Sequence, residues 1–221
     1  MPCRRKIVRV GREATIAFDH WWIAAFVDDV HCDLFEAEFA KAAESAVLSA
    51  KSQAALEAWR KRPSDFEQNA VIDDEIAARA HDFIWAFNLP GFDQLAAQFL
   101  TQRGRFSDFL AEETLFRMLT MARTTPVSIL WHALGDQRAS LLPGQMGNLL
   151  LRPDQIDEAA EMTRRAYAGA TTETLLDAAR RYCSTNVADD VLMEVLSFLP
   201  DGLARAKERQ LGFLSLARPQ I

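Results

Sequence analysis

The chain has 221 residues, 49% hydrophobic and 25% charged, with 31 acidic against 25 basic side chains and a net charge of −6. This composition suits a globular chain with a sizeable core and excludes the fibrous, low-complexity and disordered classes. The acidic balance also argues against general nucleic-acid binding, which needs a basic face to displace counterions. No apolar run approaches the roughly 18 residues of a membrane span, and the charged start lacks the unbroken apolar core of a signal peptide. Cys3, Cys32 and Cys183 lie far apart without metal-ligand spacing, as in a reducing compartment. The expected localisation is therefore cytoplasmic.

Helix formers dominate, and the 9 glycines and 8 prolines fall mostly between periodic apolar segments. The expected fold class is mainly α: a single multi-helix globular domain over residues 1–221, with about eight or nine helices on this pattern. Residues 6–18 read as a short N-terminal β-hairpin turning at Gly11 and Arg12, with an irregular arm as the alternative. The early basic residues Arg4, Arg5, Lys6, Arg9 and Arg12 form a solvated tail or neutralise the acidic segment that follows.

Residues 20–61 carry a helical pattern, with a break near 28–33. Phe35, Phe39, Ala42, Ala46 and Ala50 supply its buried stripe, and Pro63 ends it. The clearest amphipathic helix spans residues 72–89, with Ile72, Ile76, Ala80, Phe83, Ile84 and Phe87 on one side. Pro90 and Gly91 end it, and a shorter helix follows towards Gly104. Residues 107–122 read as a helix capped by Ser107. Phe106, Phe109, Leu110, Leu115, Phe116, Met118, Leu119 and Met121 surround it on nearly every side, which marks it as the central element of the core.

A short helix over residues 126–134 leads into a connection, 135–153, that reads as a boundary between two halves, 1–134 and 154–221. Its Leu141, Leu142, Met146, Leu149, Leu150 and Leu151 predict that it packs down. Helices over 154–168, 172–184 and 187–199 follow. Pro200 is expected to stop the last of these and restart a final helix through Leu203, Leu211 and Leu214.

Potential chemistry concentrates in residues 19–44. Asp19, Asp28, Asp29, Asp33, Glu36, Glu38 and Glu44 stand there against the single Lys41, with His20, His31, Cys32, Trp21 and Trp22 among them. Asp28, His31 and Cys32 share a helix face, a spacing that suits transition-metal ligands. A di-iron bundle would repeat the carboxylate-x-x-His pair, but Ala78 precedes His81 and Ile129 precedes His132 at that distance. On the helix over 72–89, Asp74, Ala78, His81 and Trp85 line the side opposite the apolar stripe, a candidate partner surface with a tryptophan anchor. There is no Gly-x-Ser-x-Gly, no phosphate-binding Gly-Lys-Ser/Thr loop and no local signature of a catalytic thiol.

The adjacent His81 and Asp82 resemble the paired His-Asp of the HD phosphohydrolases. That resemblance implies a helical metalloenzyme with His31 as the upstream histidine and Asp189 or Asp190 as the later acid. It covers two residues of the chain.

The leading expectation is a non-enzymatic protein that binds another, basic protein without a cofactor. Asp28, Asp29, Asp33 and Glu36 would steer that partner, Asp74, His81 and Trp85 would add to the surface, and Trp85 or Trp22 would anchor it. The concrete version is a bacterial immunity protein or antitoxin covering the basic active site of a toxin. The alternatives are a metal-dependent, HD-like phosphohydrolase using His31, His81 and Asp82, and an adaptor or regulatory subunit with exposed leucines in 135–153.

Overall fold

The computed structural model describes residues 19–67, 74–101, 115–122, 124–183 and 187–219. Among these residues 66% are helical, with nine α-helices around a four-stranded antiparallel sheet, so the fold is mainly α as the composition implies. The hairpin expected over residues 6–18, and Phe106, Phe109 and Leu110, lie outside the described residues. No helix among the described residues is long and apolar enough to cross a membrane.

In chain order the elements are β1 (Asp19–Val27), α1 (Asp29–Ser45), α2 (Ala50–Lys61) and α3 (Asp74–Trp85). There follow α4 (Pro90–Thr101), β2 (Leu115–Ala122), α5 (Pro126–Leu134), α6 (Asp136–Ala139) and β3 (Leu149–Leu151). The chain continues through α7 (Ile156–Tyr167), α8 (Thr172–Tyr182), α9 (Asp189–Arg209) and β4 (Gly212–Pro219). Short 3-10 turns occur at Pro63–Phe66 and Pro153–Gln155.

The strand order is β2-β1-β4-β3, and every described pairing is antiparallel. The two long central strands put His20 opposite Pro219, Trp22 opposite Ala217 and Phe26 opposite Phe213. Trp22, Ala24 and Phe26 face one helical layer together with Leu119, Met121, Phe213 and Ala217. Ala25 and Val27 face the other, with Leu214 and Leu216, against Cys32, Phe35 and Ala42 of α1 and Phe92, Leu95 and Ala96 of α4. The sheet thus lies between two layers of helices and draws strands from both sides of residues 135–153.

Three sequence expectations are corrected. Residues 19–27 form β1 and not the start of a helix: a strand buried on both faces is apolar throughout, so it lacks the alternation that would reveal it. Residues 115–122 form β2 and not the second half of a central helix, so the core is organised around β1 and β4. In β2 a register shift between Ala24 and Ala25 of its partner strand marks a bulge. Phe116 and Arg117, though consecutive, both reach the layer that holds α9. Phe116 packs on Phe26, Phe198 and Phe213, while Arg117 donates to the Glu194 carbonyl at 3.2 Å and to Asp201 at 3.4 Å.

The third correction concerns Pro200, which lies inside a continuous 21-residue α9. Proline has no N–H and would leave the carbonyl four residues earlier, that of Leu196, without its helical donor. The Tyr167 hydroxyl of α7 donates to that carbonyl at 2.6 Å. A side chain from the neighbouring helix thus replaces the missing backbone bond, and α9 runs on to Arg209. Beyond it Gly212–Pro219 is strand β4 and not helix.

Candidate functional site

α1 starts where β1 ends. Asp28 is its N-cap: one carboxylate oxygen accepts from the His31 backbone N–H at 2.8 Å and lies 2.6 Å from His31 Nδ1. These contacts, the backbone bond foremost, hold the Asp28 carboxyl below its ordinary value. The acidic segment is accordingly a strand followed by one helix.

One side of α1 is core. Cys32, Phe35 and Ala42 are buried against α4 and the sheet, and Phe39 packs on Phe92 with ring centroids 4.9 Å apart. Gly91 is what allows α4 this close, because a Cβ there would run into the Ala42 carbonyl oxygen. Burial pushes the Cys32 thiol up to about 11, and the fields of Asp29, Asp28 and Asp33 add to that effect. It is no nucleophile at neutral pH.

The opposite side of α1 is exposed and carries Val30, Leu34 and Ala37, spaced four and three residues apart, so that they form one strip. Val30 is 68% exposed and Leu34 60%. Asp29, Asp33 and Glu36 run along one edge of the strip and Glu38 along the other. Among the described residues the large exposed hydrophobics are Val30, Leu34 and Val47, and Val47 sits in the connection to α2. α1 therefore has two apolar faces and buries one.

Asp33 and Glu36 share an internal cation. A terminal nitrogen of Arg152, which follows β3, bonds Asp33 Oδ1 at 2.7 Å and Glu36 Oε2 at 2.6 Å. The two carboxylates, one helical turn apart, raise the Arg152 pKa further. Asp33 and Glu36 themselves remain 69% and 64% exposed as side chains.

Asp74, His81 and Trp85 lie on α3 as expected, but they are not one open surface. Asp74 is exposed at the helix start, roughly 16 Å along the axis from Trp85. Trp85 is half-buried: its indole N–H donates to His81 Nε2 at 2.8 Å, and its ring stands edge-on to His20 at 6.1 Å. His20, which no sequence signal separates from its neighbours, is 3% exposed with Nδ1 unbonded. Burial, then the charge of His81, lowers its pKa from 6.5 to about 4. Trp22 is fully buried, stacked on Phe198 at 4.0 Å, and its N–H donates to Gly147 O and Ser215 Oγ, so it anchors the core and no partner.

The residues that an HD-like site would need are held apart. His81 lies at the His20 end of β1 and His31 just past its Val27 end, roughly 25 Å away at strand rise. Among the described residues no group of three or more His, Cys, Asp or Glu side chains is placed to hold a metal ion. His132 is equally committed elsewhere: its Nδ1 accepts from Trp59 Nε1 at 3.0 Å, its Nε2 faces Glu67 at 3.6 Å, and burial keeps its pKa low. The connection over 135–153 packs down. Leu142 and Leu149 are buried, and Leu141, Met146, Leu150 and Leu151 are half-buried.

Sequence reasoning found the carboxylates of α1 but missed Val30, Leu34 and Arg152. The four-three spacing of Val30, Leu34 and Ala37 opposite Phe35 and Phe39 is a visible signal once the helix start is fixed at Asp28. No protein-family model, curated protein or solved structure matches this chain.

Proposed function

We propose that this protein is a non-catalytic binding protein that receives a basic protein partner on the outward face of α1. Its concrete form is an immunity protein or antitoxin that covers the basic active site of a toxin. The observation that carries the reading is the exposed Val30 and Leu34, bordered by Asp29, Asp33 and Glu36 on one side and by Glu38 on the other. Paired large apolar side chains left in water on a surface helix mark an interface. The flanking charges select the partner, because a second copy of the chain would set carboxylates against carboxylates, whereas a basic surface is drawn in and neutralised.

Removing the rest of Val30 and Leu34 from water is worth about 2–4 kcal/mol together. At about 1.4 kcal/mol per tenfold, that is roughly thirtyfold to a thousandfold in affinity. The test is affinity capture with the tagged wild type and with a V30E/L34E variant, followed by measurement of the dissociation constant of any captured protein. A basic partner that binds the wild type, weakens with salt and is lost by the variant is the expected result. A partner that is acidic, or that binds the variant equally well, overturns the proposal.

A further inference from the structure

We infer that an internal water molecule binds between His20 and Asn88, and that it joins the start of β1 to the connection between α3 and α4. Four buried side-chain atoms among the described residues lack a hydrogen-bond partner: Nδ1 of His20, Nδ2 and Oδ1 of Asn88, and Oγ1 of Thr163. Thr163 stands alone on α7. The other three atoms belong to two residues that lie together, and such a concentration calls for a shared partner. The Asn88 amide is close enough to His20 to favour the protonated ring, against the larger opposing effects of burial and of His81. Yet neither side chain completes a hydrogen bond. Polar groups that are near but unbonded in a buried place are the usual setting for a bridging water.

The chemistry of the pair selects water over an ion. Burial lowers the His20 pKa to about 4, so its ring is neutral at neutral pH and carries one lone pair and one N–H. The Asn88 amide is also uncharged, with a donor and an acceptor end. Water donates twice and accepts twice, so it can serve Nδ1 and the amide in either tautomer and either amide orientation. An anion would be stripped of its hydration beside uncharged groups. A metal ion would find one ring nitrogen and one amide oxygen, because His81 Nε2 already accepts from the Trp85 N–H at 2.8 Å. Trp85 cannot take the place of the bridge: its ring stands edge-on to His20, and its N–H is given to His81.

The test is a crystal structure of the full chain at a resolution that shows ordered water, with NMR on the isotope-labelled chain. The expected result is a water within hydrogen-bond reach of both His20 Nδ1 and the Asn88 amide. In solution, the Asn88 side-chain amide protons should show water cross-peaks of opposite sign in laboratory-frame and rotating-frame Overhauser spectra. That sign marks a held molecule, whereas exchanging protons give the same sign in both. Asn88→Leu, close in shape and without the amide, should lose the water and shift the His20 Nδ1 signal. Should that variant fail to fold, the wild-type measurements decide alone. Direct contact between Asn88 and His20 with no shared water overturns the inference. So does any other occupant, a metal ion included.

Discussion

Tyr167 and Pro200 form a testable pair. Pro200 removes the backbone donor for the Leu196 carbonyl, and the Tyr167 hydroxyl supplies another at 2.6 Å. Leu196 is 4% exposed, so water is poorly placed to substitute. Tyr167→Phe keeps the ring and deletes only the donor, leaving a buried carbonyl unsatisfied at a cost of about 1–3 kcal/mol. For a chain of this length that is a fall in Tm of about 2–4 °C per kcal/mol. The decisive form is a double-mutant cycle with Pro200→Ala, a substitution that restores the helical N–H. In that background Tyr167→Phe should cost less than about half its original value, a coupling near 1 kcal/mol. Urea unfolding at neutral pH reads all four proteins. Equal costs in the two backgrounds would show that Tyr167 does not replace the proline's missing bond.

Other predictions follow from burial and close packing. His20 is neutral when folded, with a pKa of about 4 against 6.5 unfolded, so the unfolded chain takes up the proton first. The stability it supports is complete above 6.5 and is lost as pH falls towards 4, by about 3 kcal/mol. Denaturation midpoints measured across that range should show this loss together with that of His132, which burial depresses in the same way, and His20→Phe should make the fall shallower without abolishing it. In a Cys3→Ser background, Cys32 and Cys183, pushed up to about 11 and 12, should resist a thiol reagent at neutral pH until the chain unfolds. Rapid labelling of the native protein would contradict their burial. Gly91→Ala forces a Cβ against the Ala42 carbonyl, and overpacking of this kind costs about 1–3 kcal/mol. Leu34→Gln, on the exposed side of the same helix, should change stability by less than about 0.5 kcal/mol. A reversed order of these two effects would mean that the buried and exposed faces of α1 are wrongly assigned.

The helices were legible wherever one face is wet. Phe35, Phe39 and Ala42 on α1, and Phe83 on α3 with Phe87 just past its end, repeat at helical spacing because the other side of each helix meets water. The strands were hidden for the converse reason. In β1, Trp22, Ala24 and Phe26 face one helical layer while Ala25 and Val27 face the other. A run with two dry faces carries no period, and it reads as equally good helix. Pro200 misled in a different way: its helix-breaking effect is local, whereas the compensating Tyr167 lies 29 residues from the carbonyl it bonds. At the candidate site, the charges were visible as composition. The bridge from Arg152 to Asp33 spans 119 residues and became visible only in the fold.

The order of strands in the sheet sets a timetable for making this protein. Trp22 of β1 and its hydrogen-bond partner Ser215, beside β1 on β4, are separated by 193 residues. At the ribosome's pace that interval lasts roughly 10–40 s. Throughout it, β1 is a largely apolar strand whose β4-facing edge lacks its partner. Until Gly212–Pro219 is made and docked, that edge is open to pairing with another chain. The loop-closure entropy of so distant a pairing also makes the step slow. Crowded, incomplete copies of this chain are therefore most vulnerable to aggregation along β1, although in the finished molecule it is among the most protected strands.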